Sequence, residues 1–310
     1  MTERKLKEMQ LKQLQALDLD TKIMKTKARI REFYNELGGK VYVSYSGGKD
    51  SQTLLHLVRQ EFPDVVAVYC DTGLEYPELK ELVKRQENVI ILKPDMNFTE
   101  VIEKYGFPVI SKEVSLLIKY ARKGSGWAIN KLQGKNNDGS ESEYKKQYIK
   151  YTYLKDAPFK ISDECCSVMK KKPFKKFEKD NGLYPFIGTL AEESSIRKNS
   201  WIKNGCNAFE SKRIVSQPLS FWTEQDILKY IQKYNLEVSS VYGELIEDDK
   251  GKLHFNKCQR TGCVWCPISA HLDKSPNRFE RLKETHPNLY NYCMNNLNMK
   301  EVLDFINVKY

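Results

Sequence analysis

The densest group of chemistry-bearing residues is Ser46-Gly47-Gly48-Lys49-Asp50-Ser51, directly after the apolar run Val41-Tyr42-Val43-Ser44-Tyr45. Lys40–Tyr45 reads as a strand, the next six residues as a turn, and Gln52–Gln60 as a helix. Two glycines, lacking Cβ, let the backbone bend sharply and come close to a ligand. The helix that follows turns its unpaired N–H groups and positive dipole end back on the turn, and Lys49 adds a full charge. This is an anion site, suited to phosphate or sulfate. Its spacing is not the G-x-x-x-x-G-K-[ST] of the Walker loop.

Cysteines form the second group. Cys165 and Cys166 are adjacent, and Cys258, Cys263 and Cys266 read C-x4-C-x2-C. A C-x2-C turn lets two thiolates grip one metal or two cluster irons. Two more ligands are needed, either Cys165 with Cys166 or Cys166 with Cys258. Cys70, Cys206 and Cys293 are isolated and read as structural. A third group is Gly188 to Arg197, where Glu193 and Arg197 stand four apart and can share a helix face. Arg197 could grip a phosphate oxygen as a fork; alone, the pair would be a surface salt bridge.

The elements that must position these groups alternate. Val65–Cys70 is a continuous apolar run ending in Asp71-Thr72-Gly73; Tyr76–Gln86 reads as a helix and Asn88–Leu92 as a third strand. This rhythm predicts a doubly wound, parallel α/β sheet, with ligands beyond the carboxyl ends of its strands. Both Ser46–Ser51 and Asp71–Gly73 fall at such ends. Residues 1–37 read as one or two amphipathic helices ahead of the core and 124–146 as a long mobile loop. Tyr184–Gly188 reads as a strand, and 241–256 as a polar hairpin or loop. Thr223–Tyr234 reads as a helix with a Thr223/Asp226 capping box. The expected division is a helical extension (1–37), an α/β nucleotide-binding core (38–220) and a helical, cysteine-rich part (221–310).

Ser46–Ser51 resembles the pyrophosphate loop, S-G-G-K-D-S, of the adenine nucleotide α-hydrolase superfamily, which includes ATP pyrophosphatases and phosphoadenosine phosphosulfate (PAPS) reductases. Gly188–Arg197 resembles the family's second signature, G-x-x-x-x-E-S-x-x-R, with Leu190 where several reductases carry Arg. Arg260–Pro267, with Arg278-Phe279 and His286-Pro287, resembles the C-terminal block of PAPS-reductase-like proteins common in phages and mobile elements. The chain also resembles DNA phosphorothioation sulfur-incorporation proteins. The resemblance covers residues 38–310. It implies that a nucleotide is held by Ser44, Ser46, Gly47, Gly48, Lys49, Asp50, Ser51, Asp71, Thr72, Gly73, Gly188, Glu193, Ser194 and Arg197. Lys49, Asp50 and Arg197 would be catalytic. The nucleotide would be ATP with Mg²⁺, Asp50 being the candidate ligand, or PAPS or adenylyl sulfate.

The cysteine pair with the later C-x2-C resembles the [4Fe–4S] arrangement of adenylyl-sulfate reductases, with Lys170 and Pro173 at matching offsets. Cys165, Cys166, Cys263 and Cys266 are then the ligands, with Cys258 as an alternative fourth. Zinc is the rival; adjacent cysteines are unusual in structural zinc sites and favour the cluster. The true reductases carry a tail, E-C-G-[IL]-H, whose cysteine attacks sulfur. This chain ends Asn307-Val308-Lys309-Tyr310, and Cys293 between Tyr292 and Met294 is a poor substitute. The expected reaction is therefore cleavage of ATP to AMP and pyrophosphate with sulfur transfer. The alternatives are sulfite-producing reduction of PAPS or adenylyl sulfate, and a nucleotide-gated nucleic-acid-binding protein with a structural metal.

Composition bounds these readings. The chain has 310 residues, 40% of them hydrophobic, enough for a sizeable core. It has no run of eighteen apolar residues and its N-terminus is charged, so neither a membrane span nor a secretory signal is expected. Eight cysteines without such a signal point to metal or redox use in a reducing compartment, the cytoplasm. The net charge is +10, and Lys112–Lys179 holds 17 Lys and Arg against 8 Asp and Glu. Nucleic acid or a nucleotide is the partner such charge suits. A sulfur donor or thiol-reductant protein is implied by the family chemistry.

Overall fold

Strand β1 (Val41–Tyr45) buries both of its faces: Val41, Val43 and Tyr45 enter one apolar cluster and Tyr42 another. That two-sided burial is what a parallel strand inside a layered α/β fold requires. The computed structural model describes residues 2–310. β2 (Ala67–Cys70) pairs parallel with β1, and β3 (Val89–Leu92) with β2. On the other side β4 (Tyr184–Ile187) pairs parallel with β1. β5 (Asn207–Ala208) and β6 (Val215–Ser216) complete a six-stranded sheet of order β3-β2-β1-β4-β6-β5, with only β5 antiparallel.

The chain thus runs outward from β1 on one side, then returns to its other flank at β4. The reversal between β1 and β4 is the switch point at which doubly wound sheets take their ligands. The register, Val41 opposite Tyr184 and Ser44 opposite Ile187, sends Ser46 and Gly188 out of neighbouring strand ends.

Residues 2–37 form two helices, α1 (Glu3–Gln15) and α2 (Leu19–Glu36), the second capped by Asp18, which accepts the Thr21 N–H at 2.9 Å. α2 sends Ile30 and Phe33 into the cluster that holds Val43 and Phe186. α3 (Lys49–Glu61) adds Leu54 and Leu57, and the helix Glu224–Lys233 adds Ile227 and Tyr230. α3 begins at Lys49, three residues ahead of the expected start, because Gly48 serves as its cap. The Thr223/Asp226 capping box is present. Asp226 also pairs with Lys22 of α2 at 2.6 Å, and both are nearly inaccessible. On the opposite face of the sheet, Phe177 meets Tyr42 edge-on at 5.4 Å, and the Tyr42 hydroxyl donates to Glu178 at 2.7 Å. All of this belongs to one compact unit, residues 1–71, 75–92 and 174–261. The same unit contains the antiparallel pair β7 (Leu245–Glu247) and β8 (Leu253–Phe255), so of the hairpin or loop expected for 241–256 it is the hairpin that forms.

The second unit comprises residues 72–74, 93–173 and 262–310. Its stretch 124–146 is not one long loop. Gly126–Leu132 is a helix and Lys145–Tyr148 another, with a bridge between Lys135 and Glu141. Ala128 and Leu132, four apart, are both buried, and that apolar spacing outweighs the polar composition around it. Gly124, Gly134 and Gly139 do take positive φ, as glycines in turns do. The C-terminal residues are helical as expected, with Arg278–Thr285, Pro287–Asn291 and Met299–Phe305 joined by a π-helical turn at Tyr292–Asn296. Among the described residues no helix is long and apolar enough to cross a membrane.

Candidate functional site

The loop after β1 is held by its own small side chains. Gly47 has φ +73°, a left-handed conformation that favours glycine. The Ser46 N–H donates to Ser51 Oγ at 3.2 Å, the Gly48 N–H donates to Ser46 Oγ at 3.3 Å, and the Ser51 hydroxyl donates to the Gly48 carbonyl at 2.9 Å. Gly188 passes so close that a Cβ on it would lie 2.9 Å from the Asp50 carbonyl oxygen. Glycine at the end of β4 therefore lets the second signature pack against the first.

Charge within the loop is already answered by the protein. Lys49 is only 4% exposed; its Nζ donates to the Gln259 carbonyl at 2.9 Å and pairs with Glu224 at 3.1 Å. The Lys49 N–H donates to the Tyr242 hydroxyl at 3.0 Å, which in turn bonds Thr261 Oγ1 at 2.9 Å. Burial pushes the Tyr242 phenol up to about 12, so it stays protonated. Glu193 lies between Arg197 and Arg260, in ion pairs with both, and its Oε2 accepts the Leu190 N–H at 3.0 Å. Glu193 and Arg197 meet as the spacing suggests but do not share a helix. Glu193 closes a 3-10 turn, and Ser194 caps the next helix by accepting the Arg197 N–H at 3.3 Å.

Asp50 is the outlier. Burial raises its carboxyl above the usual range, opposed by the charges of Lys49 and Arg260, and its Oδ1 is buried with no hydrogen-bond partner. Burial likewise lowers the Arg197 pKa, helped by the nearby Arg260 charge. Lys49, Asp50, Leu190, Glu192, Glu193, Glu224 and Arg260 line a cavity of 290 Å³. Ligand pockets span about 300–1,000 Å³, so this space suits the anionic tail of a nucleotide better than a whole one. An incoming anion would take the place that Glu224 and Glu193 hold against the cations. The orphaned Asp50 oxygen fits a cation such as Mg²⁺ by the chemistry of its donor.

The other expected residues sit as follows. Ser44 is within β1, in register with Val68 and Ile187. Asp71 follows β2; its N–H donates to the Leu92 carbonyl at 2.9 Å, and its carboxylate pairs with Lys80 at 2.7 Å. Thr72 and Gly73 belong to the second unit, where Thr72 Oγ1 accepts the Leu74 N–H at 3.2 Å and the Leu74 carbonyl accepts the Val264 N–H at 2.8 Å.

That second unit also holds Cys165, Cys166, Cys263 and Cys266. Burial raises the Cys165 thiol pKa, and the charges of Cys166, Cys263 and Cys266 add to the rise; Cys266 is pushed up to about 12 by burial, with Cys263 and Cys166 contributing. Among the described residues, no three His, Cys, Asp or Glu side chains are arranged to hold a metal ion. Arg278 fixes the turn after them: it donates to the carbonyls of Cys266 at 3.1 Å and Ile268 at 2.9 Å and pairs with Asp273 at 2.7 Å. Cys258 lies in the first unit, where its Sγ donates to the Arg260 carbonyl at 3.0 Å.

Sequence reasoning missed Glu224, Tyr242 and Gln259 as partners of Lys49. No local signal points to them, since each contact spans more than 170 residues of chain, 193 in the case of Tyr242. Arg260 opens the Arg260–Pro267 motif, yet nothing in that motif pairs it with Glu193.

Residues 40–269 match the model of the phosphoadenosine phosphosulfate reductase domain. The chain is 23% identical over 266 residues to an adenosine 5′-phosphosulfate reductase of Staphylococcus haemolyticus, covering 83% of each. It is 26% identical over 278 residues to an uncharacterized protein of Methanocaldococcus jannaschii, covering 84% of this chain and 49% of that one, so it spans about half of that relative. A phosphate complex of the PAPS reductase from Candida auris aligns with a TM-score of 0.36 at 15% identity, over 69% of this chain and 83% of that one. With most of its length matched, the chain belongs to the phosphoadenosine phosphosulfate reductase family.

Proposed function

We propose that this protein binds an adenine nucleotide with its anionic tail in Ser46–Ser51 and transfers sulfur while cleaving ATP between its α and β phosphates. The observation that carries this reading is the buried Lys49, beside an orphaned carboxylate oxygen of Asp50, in a polar cavity at the β1/β4 switch point. The acceptor oxygen attacks the α-phosphorus, the bond to the β-phosphate breaks, and pyrophosphate leaves. A hydrosulfide-level sulfur from a donor protein then displaces AMP. Lys49, the loop N–H groups and Arg197 would stabilise charge gathering on the leaving phosphates. Asp50 would hold Mg²⁺, which supplies charge neutralisation there. Cys165, Cys166, Cys263 and Cys266 would hold a [4Fe–4S] cluster, with zinc the alternative; in support, Cys165 and Cys266 each lie close enough to the other cysteines of the set for those charges to raise their thiols. Lys175, Lys176 and Lys179, exposed on the helix Lys172–Asn181, suit nucleic acid as the acceptor, as in the phosphorothioation proteins the sequence resembles.

A second reading, reduction of adenylyl sulfate or PAPS to sulfite, is favoured by the name of the Staphylococcus relative. It needs an exposed, reactive thiol. Cys293 is fully buried in the π-helical turn, and burial raises its pKa, so it is not that thiol. Product analysis separates the readings. AMP and pyrophosphate from ATP, dependent on Lys49, support sulfur transfer; sulfite from adenylyl sulfate with a thiol reductant supports reduction.

A further inference from the structure

A second cavity, of 650 Å³, opens where α1 and α2 meet the helix Ser195–Asn204 and strand β5, away from the loop after β1. One wall comes from the N-terminal helices, which precede the family-matched residues 40–269, and the other from residues 201–221 within them. Its volume lies within the range of about 300–1,000 Å³ typical of small-molecule sites.

The walls and rim differ in chemistry. Trp201, Phe209 and Phe221 supply aromatic surface, with Phe209 stacked on Phe33 at 5.6 Å. Trp201 is 6% exposed, and its indole N–H is buried with no oxygen or nitrogen acceptor. Its neighbour is the Cys206 sulfur, a weak acceptor that already receives the Ser220 hydroxyl at 3.5 Å. The rim is cationic. Its one carboxylate, Glu32, is engaged by Arg29 at 2.7 Å and by the Asn207 amide at 2.8 Å. Lys25 and Lys203 make no ion pair among the described residues.

We propose that this cavity binds an aromatic anion of about mononucleotide size, its ring against Trp201 and Phe209, an acceptor atom on the Trp201 N–H, and its charge between Lys25 and Lys203. An aromatic body matches the walls, an acceptor atom answers the Trp201 N–H better than the weakly accepting Cys206 sulfur does, and a negative charge answers two lysines that make no ion pair among the described residues. The proposal does not rest on the nucleotide reading of Ser46–Ser51.

Two probes distinguish the sources of such a ligand: AMP, whose charge is a phosphate, and 2-naphthoate, whose charge is a carboxylate. Each is titrated calorimetrically into full-length Lys49→Ala protein, which weakens the loop site, and into the same background carrying Lys25→Ala with Lys203→Ala, or Trp201→Phe. Both lysines are exposed, so their removal leaves the fold intact. One probe should bind, at least tenfold more weakly without the two lysines and several-fold more weakly with Trp201→Phe. Binding of AMP alone assigns a nucleotide, and binding of 2-naphthoate alone an aryl carboxylate. Millimolar probe without heat in either case, or affinity untouched by both sets of substitutions, would overturn the proposal.

Discussion

Glu224 competes with the nucleotide for Lys49, and its removal should tighten binding. Its carboxylate lies 3.1 Å from Lys49 Nζ, and its side chain is 47% exposed while that of Lys49 is 4% exposed. Two unit charges 4 Å apart interact by about 4 kcal/mol at an effective dielectric of about 20 and by about 1 kcal/mol in water. Half-exposed on one side, this pair belongs near the watery limit, where measured pairs contribute about 0.2–1 kcal/mol. Glu224→Gln should therefore strengthen ATP binding by up to about fivefold, an effect that shrinks as salt rises. Lys49→Ala should act with the opposite sign. Loss of a charge-assisted hydrogen bond of about 1–3 kcal/mol weakens ATP binding by about 5- to 150-fold. Calorimetric titration of ATP into both variants, each checked for folding by circular dichroism, reads the two signs directly. Equal affinity in wild type and both variants would refute the competition and the loop's role together.

Other perturbations test separate parts of the structure. Because burial raises the Asp50 carboxyl, the folded chain holds that proton more tightly than the unfolded one, and its contribution is lost as pH rises through the native pKa. Asp50→Asn should raise the melting temperature at pH 7 and change it little near pH 3; a variant less stable at pH 7 would contradict this. Lys22→Ala leaves Asp226 without its buried cation and should cost about 3–5 kcal/mol in urea unfolding, whereas Lys22→Met with Asp226→Asn should cost less; a single-variant loss below about 1 kcal/mol would show the pair to be incidental. Anaerobically purified protein should carry about four irons and a brown colour that Cys263→Ser abolishes, while stoichiometric zinc without iron would favour a structural metal.

The strand-turn-helix at the heart of the fold was legible because three local signals coincide there. These are an apolar run buried on both faces, two glycines, and a helix cap. β5 and β6 were not, since two residues each are too few to show a period. In Gly126–Leu132 the polar neighbours masked a buried Ala128–Leu132 pair that only packing reveals. The pairing of Glu193 with Arg197 was readable from spacing; that Ser194 separates them into a turn and a helix was not, because the adjacent Ser195 would cap a helix as well. At the site, loop chemistry was local and its counter-charges were not. Glu224 sits at the first position of a helix whose capping box was readable, yet nothing in that helix announces Lys49 as its partner.

The central claim is that Ser46–Ser51 holds the anionic tail of the nucleotide. Its most direct test compares ATP with adenosine, which has the same base and sugar and no tail. In the wild-type protein ATP should bind at least about 100-fold more tightly than adenosine, as two or more charge-assisted contacts of about 1.5–3 kcal/mol each imply, and Lys49→Ala should close much of that gap by weakening ATP alone. Adenosine binding as tightly as ATP, or a gap unchanged by Lys49→Ala, would contradict the account.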